Sequence, residues 1–463
     1  MLIHPDRLFP ADTGTRTIAR RLHEHVRRLP IVSPHGHTQA AWLATNEPFP
    51  DPAKLIVQPD HYIFRMLYSQ GISLEDLEIG RTELRDARKV WGIFASHYYL
   101  FRGTPTRMWL DFVFQEIFGI EQRLSEKTAS FYFDVISEKL KTPEFLPRAL
   151  YQRFNLEVLA TTDSPLDSLA DHGAIRESNW RARILPTFRP DPVVDPDFDG
   201  FDVNVVKLGQ QTGEETSKWS GYLNALRAAR LRFRELGCTA TDHGHPTAGT
   251  ADLSTEEAES LFSQVIAHNA NAQRRELFRA QMLTEMARMS LEDGLVMQIH
   301  PGSFRNHNRK LHETYGCDVG ADIPMATNYV DALRPLLDRF GNERDLTIIL
   351  FTLDESTYSR ELAPLAGHYP CLRLGPPWWF HDSPEGMMRF RQQVTETAGF
   401  YNTVGFNDDT RAFLSIPARH DAARRMDCAF LAKLVAEHRL EEDEALEVAQ
   451  DLAYRLVKKA YRL

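Results

Sequence analysis

The sequence predicts an α/β barrel of eight parallel strands carrying a helical insertion after the first strand, and three observations lead there. Short apolar runs, each long enough for one buried strand, recur along the chain. Stretches of helical period lie between them, which is the alternation of a parallel sheet with crossover helices. The exception is one long segment that keeps helical period and contains no strand-like run.

Taken in order, residues 1–44 are assigned to an N-terminal helix and the first barrel strand, the strand at 29–32. Residues 45–149 form the insertion, where aromatic clusters such as His97-Tyr98-Tyr99-Leu100-Phe101 and Trp109-Leu110-Asp111-Phe112 serve packing against the barrel. Residues 150–463 hold the remaining strands, at 157–162, 183–188, 238–241, 294–299, 346–350, 371–374 and 402–406. Helical period marks 218–236, 256–289, 326–340 and 421–437, and a last helical stretch, 441–463, closes the fold. Residues 190–199, rich in Pro and Asp, read as a loop.

Composition narrows the partners. With 43% hydrophobic and 25% charged residues in 463, the chain is globular rather than disordered, collagenous or coiled-coil. Its net charge of −10 gives no global field toward nucleic acid or an anionic membrane, so an anionic ligand must be held by local Arg, His or metal. Mean hydropathy is −0.39, no run of apolar residues is long enough to span a bilayer, and residues 1–13 lack a signal-peptide pattern, so a cytoplasmic location is expected. The four cysteines, Cys238, Cys317, Cys371 and Cys428, form no C-x-x-C pair, which argues against a disulfide framework and a thiolate zinc site. A homo-oligomer is expected on the general behaviour of large cytoplasmic enzymes.

In a barrel of this type the chemistry sits at the carboxyl ends of the strands. The first strand ends in His35-Gly36-His37, whose alternate side chains point the same way and suit one divalent ion. The eighth ends in Asn407-Asp408-Asp409-Thr410-Arg411; an Asp there lies beside strand one and can complete a His-His-Asp set, or instead cap the following helix. Arg411 offers a fork for a carboxylate. Strand five leads to His300, a metal ligand, a substrate donor or a core histidine. Strand four leads to a second H-x-H, His243-Gly244-His245, ranked below the first. Arg189 after strand three is a candidate anion holder. Trp378-Trp379 after strand seven cannot both face one side of the core, so one walls a pocket. In the insertion, Asp60-His61-Tyr62-Ile63-Phe64-Arg65 places Tyr62 and Arg65 on one helical face.

Together with T-T-D-x-P-x-D-S-L at 161–169, L-P-x-x-R-P-D at 185–191, W-W-F at 378–380 and D-x-R-x-F-L-S at 409–415, these motifs resemble the uronate (glucuronate) isomerase family of the amidohydrolase superfamily, in order over nearly the whole chain. The resemblance implies a distorted (β/α)8 TIM-type barrel and the interconversion of aldohexuronates with ketohexuronates, D-glucuronate with D-fructuronate or D-galacturonate with D-tagaturonate. It implies His35, His37 and Asp409 as ligands of one divalent metal, usually zinc, with Tyr62, Asp409 and Arg411 at the reacting end. Arg189 and Trp379 match the substrate pocket and His300 falls where the wider superfamily places a metal-binding His, while His61, Arg65, His300 and Trp378 are further candidates for substrate binding. Strand four carries Asp242-His243 where many relatives in the superfamily place a carboxylated lysine, which disfavours a binuclear hydrolytic site. Ser33-Pro34 replaces the acidic residue common two before H-x-H, and Asp408-Asp409 stands for a single Asp; spacing to Arg411 favours Asp409. The rivals are a metal-dependent amidohydrolase or nonoxidative decarboxylase of the same superfamily, and a sugar-acid binding protein without turnover.

Overall fold

The computed structural model describes residues 2–81 and 83–463. Its strands are β1 (Ile31–Ser33), β2 (Leu156–Ala160), β3 (Arg183–Leu185), β4 (Ala240–His243), β5 (Val296–Ile299), β6 (Ser303–Phe304), β7 (Ile323–Pro324), β8 (Ile348–Leu350) and β9 (Leu372–Leu374). Two parallel sheets, β1-β2-β3 and β4-β5-β8-β9, make one curved wall because an isolated bridge from Phe188 to Thr241 joins them. A bridge from Leu374 to Thr403 adds the eighth position. The antiparallel pair β6–β7 stands apart, in the connection that follows β5. The architecture is thus a distorted (β/α)8 barrel.

The inner face is filled by Val32, Val158, Ala240, Val296, Ile349, Phe351 and Val404, and Val457 and Tyr461 from the last helix, Leu456–Tyr461, join the same cluster. Each such aliphatic side chain contributes roughly 1.5–3 kcal/mol when fully buried. A second layer, including Leu226, Phe262, Met282, Leu333 and Val394, fills the space between the strands and the outer helices. Between β1 and β2 the chain is helical and has its own aromatic core around Phe94, Tyr98, Phe114 and Tyr132. Among the described residues no helix is long and apolar enough to cross a membrane.

Several sequence expectations are corrected here. Residues 402–406 make one bridge and no ladder: Gly405 has φ 77°, and a Cβ there would meet the Leu452 carbonyl at 2.5 Å, so the chain turns where a strand was expected. Residues 183–188 are interrupted after Leu185, before Pro186, which has no N–H to give a ladder. β4 runs two residues further than expected, so Asp242 and His243 lie in the ladder opposite Gln298 and Ile299. The stretch 256–289 is two helices, Thr255–Ile266 and Ala272–Asp293, because the Asn271 side chain accepts from the Arg274 N–H and starts a new helix. Residues 190–199 open with one helical turn, Asp191–Val194. The helices Phe201–Thr212 and Pro384–Ala398 and the β6–β7 pair were not foreseen.

Candidate active site

A cleft of about 700 Å³ opens at the carboxyl ends of the strands. His35, His37, His61, Tyr62, Arg189, His300, Trp378, Trp379, Asp409 and Arg411 all line it. Arg65 does not; its guanidinium stacks 4.6 Å from the Phe380 ring and lines an adjoining cavity. The shared helical face expected for Tyr62 and Arg65 therefore does not converge on the main cleft.

Each side chain is set by local structure. The Asp60 carboxylate accepts from the Tyr62 N–H at 2.8 Å and caps the helix His61–Ser69, which presents His61 and Tyr62 from its first turn. The Tyr62 hydroxyl donates to the Trp379 carbonyl at 3.0 Å, and the Tyr62 ring stacks on His61. Burial drives the Tyr62 phenol far above its ordinary pKa, so it is held protonated. Trp378 lies edge-on to His300 and Trp379 edge-on to His61, so both indoles wall the cleft.

His35 Nε2 and His37 Nε2 face one oxygen, Asp409 Oδ1, at 3.4 and 3.0 Å. Asp409 adopts φ 40°, a strained value for a residue with a Cβ, which turns its carboxylate back toward the histidines. Burial works to raise that carboxyl, but His35 and His37 outweigh it and hold the group well below the usual range. Two imidazoles and one carboxylate, with donor atoms all within 4.8 Å of one another, are a donor set that fits a borderline divalent cation. The neighbouring Asp408 is committed elsewhere: its Oδ2 faces His420 Nε2 at 3.0 Å. Geometry thus separates the two aspartates.

Behind this set, Asp242 is shared. Its Oδ1 lies 2.6 Å from His300 Nδ1 and its Oδ2 3.0 Å from Arg189. Burial opposes ionisation, but Arg189 and His300 keep Asp242 well below its ordinary pKa. Burial holds His300 below its ordinary value despite Asp242, so its ring is neutral, and its Nε2 has no hydrogen-bond partner. Arg189 also donates to Asp191 at 2.8 Å, and Arg411 pairs with Asp318 at 3.2 Å.

The sequence pointed to no role for Arg305, Asp318, Asp382 or Arg419, and it named Asp60 and Asp242 only as members of motifs. Asp242 had a signal, a carboxylate at the end of an apolar run. Arg419 had none: it lies in the long helix Ile416–Ala436, yet its guanidinium sits 3.7 Å over the Trp109 ring and pairs with buried Asp382.

Two histidines at the end of the first barrel strand, with an aspartate from the eighth position turned toward them, define a (β/α)8 barrel with a candidate metal site at its mouth. Residues 13–461 match the glucuronate isomerase family, and the chain belongs to that family. It is 64% identical to the uronate isomerase of Rhizorhabdus wittichii, over 100% of this chain and 98% of that one. It superposes on the glucuronate isomerase of Caulobacter crescentus with a TM-score of 0.98 at 59% identity, covering 99% of this chain and 97% of the other. The uronate isomerase of Thermotoga maritima gives 0.93 at 29% identity, with 100% of both chains covered.

Proposed function

We propose that the cleft interconverts an aldohexuronate and a ketohexuronate, D-glucuronate with D-fructuronate and D-galacturonate with D-tagaturonate, by proton transfer through a cis-enediol. The observation that carries this reading is the convergence of Tyr62, Asp409, Arg411 and Arg189 on one cleft. Isomerisation removes a proton from C2, delivers one to C1, and moves hydroxyl protons between O1 and O2. A base, an acid and a stabiliser of enediolate charge are therefore needed. We assign the proton acceptor's part to Asp409, which lines the cleft as an ionised carboxylate. Tyr62, which keeps its phenolic proton, is assigned to donate a hydrogen bond to a developing oxyanion in the cleft. Arg411 stabilises the negative charge that builds on the enediolate, and Arg189 grips the substrate carboxylate.

His35, His37 and Asp409 would hold one divalent ion, which we take to be zinc. When bound, it supplies Lewis-acid polarisation of substrate oxygens. His61, His300, Trp378 and Trp379 bound the sugar, with His300 offering its free Nε2. Arg65, outside the cleft wall, acts on Phe380 rather than on the sugar. The hydrolase and decarboxylase alternatives find no support in either the site or the relatives. Cytoplasmic residence and a homo-oligomeric state complete the proposal and are read by cell fractionation and light scattering.

The test is a proton NMR time course with D-glucuronate and, separately, D-galacturonate in D₂O. A ketouronate should appear, with deuterium entering C2 of recovered aldose. Conversion without deuterium would refute solvent-exchanging enediol transfer, and no conversion of either sugar would refute the substrate assignment.

A further inference from the structure

The second His-Gly-His, at the end of β4, takes no part in the isomerase site described above. His243, His245 and Asp191 are 0, 2 and 8% exposed, and one donor atom from each lies within 4.8 Å of the others. Both ring nitrogens of His245 and Nδ1 of His243 lack any hydrogen-bond partner. Buried polar atoms left in that state cost free energy that an apolar side chain would avoid.

The three groups are also oriented. His243 Nε2 lies 3.0 Å from Thr241 Oγ1; with the ring proton on Nε2, the lone pair is on Nδ1, the free nitrogen. Asp191 is fixed by the Arg189 Nε–H at 2.8 Å and the Gly244 N–H at 3.1 Å, and still has lone pairs to offer. Gly244 leaves room between the histidines for these groups to pack, since a Cβ there would lie 2.1 Å from the Arg189 guanidinium and 2.8 Å from Asp191. The surroundings carry excess negative charge. Asp195, Asp197 and Glu276 converge on Arg279 while Asp197 also meets Arg275, and with Asp191 and Asp242 they make five carboxylates against Arg189, Arg275 and Arg279.

We propose that Asp191, His243 and His245 form a second divalent-cation site, of the imidazole-preferring transition-metal kind, one layer behind the substrate cleft. It shares no ligand with His35, His37 and Asp409. Two imidazoles and a carboxylate suit zinc or cobalt rather than magnesium or calcium, which prefer oxygen. Asp191 and Gly244 line the cleft, which gives an ion a route inward. A bound ion would clamp the loop after β4 to the segment after β3 that carries Arg189.

Co²⁺ is the probe. After removal of all metal, the parent protein should bind two equivalents, read by elemental analysis and by the visible absorption of imidazole-bound Co²⁺. His245→Gln should bind one. The double variant His35→Asn/His37→Asn, in which the first site is dismantled, should also retain one equivalent with an imidazole-type spectrum. Parent-level binding by folded His245→Gln overturns the proposal. So does loss of all Co²⁺ binding by the double variant, and that arm stands even where His245→Gln fails to fold.

Discussion

His300 and Asp242 face each other at 2.6 Å, Nδ1 to Oδ1, and the second oxygen of the same carboxylate holds Arg189 at 3.0 Å. One buried group thereby sets a cleft-lining imidazole and a cleft-lining guanidinium at once. Asp242→Asn removes one of the two carboxylates that compensate Arg189, the other being Asp191. Breaking a buried pair from one side costs ~3–5 kcal/mol. The variant should melt well below the parent and show a raised KM for the uronate, as thermal denaturation and steady-state kinetics will report. An unchanged KM would separate Arg189 from substrate binding.

Asp409→Asn should lower kcat by at least ~100-fold, since it removes the carboxylate proposed to accept a proton and to hold the metal. Its content of metal at the His35–His37 pair should fall in parallel, measured by elemental analysis. Chelation of the parent should reproduce the rate loss, and zinc should restore it; zinc should not restore Asp409→Asn. Near-parent turnover of the variant would remove Asp409 from the mechanism.

Tyr62→Phe deletes one hydroxyl, whose hydrogen bond to the Trp379 carbonyl accounts for only ~0.5–1.5 kcal/mol. The melting temperature should therefore stay near the parent's while kcat falls ~10²–10⁴-fold. A stability loss with kcat preserved would make Tyr62 a structural residue.

Far from the cleft, Asp421 ties the two ends of the chain together, pairing with Arg7, His23 and Arg425. Burial opposes its ionisation, but His23, Arg7 and Arg425 prevail and lower its pKa to about 2. Because the folded value lies below the unfolded one, the stabilisation is complete above about pH 4 and is lost as pH falls through 2. It amounts to about 2 kcal/mol. Asp421→Asn should melt lower at pH 7, and the gap to the parent should close toward pH 2. A gap of constant size from pH 7 to 2 would contradict this linkage.

What the sequence reveals follows from which forces are local. Parallel barrel strands are buried on both faces, so runs such as 294–299 and 346–350 stand out as continuous apolar stretches. Residues 402–406 look the same but turn at Gly405, because contact with Leu452 and Val457 decides that backbone. The β6–β7 pair is two residues long and leaves no periodicity to read. The histidine pair is legible because both residues follow one strand end, and Asp409 because its spacing to Arg411 is local. Arg419 and Asp382 acquire meaning only when a helix from the far end of the chain meets Trp109, which no local pattern encodes.

Among the described residues, no ladder joins the eighth position to β1; a single backbone hydrogen bond, His37 N–H to the Thr410 carbonyl at 3.0 Å, spans that seam beside the His-His-Asp set. On the ribosome, the two histidines emerge about 370 positions before Asp409. At ~5–20 residues per second, that leaves them without their carboxylate for tens of seconds. The donor set thus closes only after the eighth position has been made, and an ion held by His35, His37 and Asp409 would tie the two sides of the seam together.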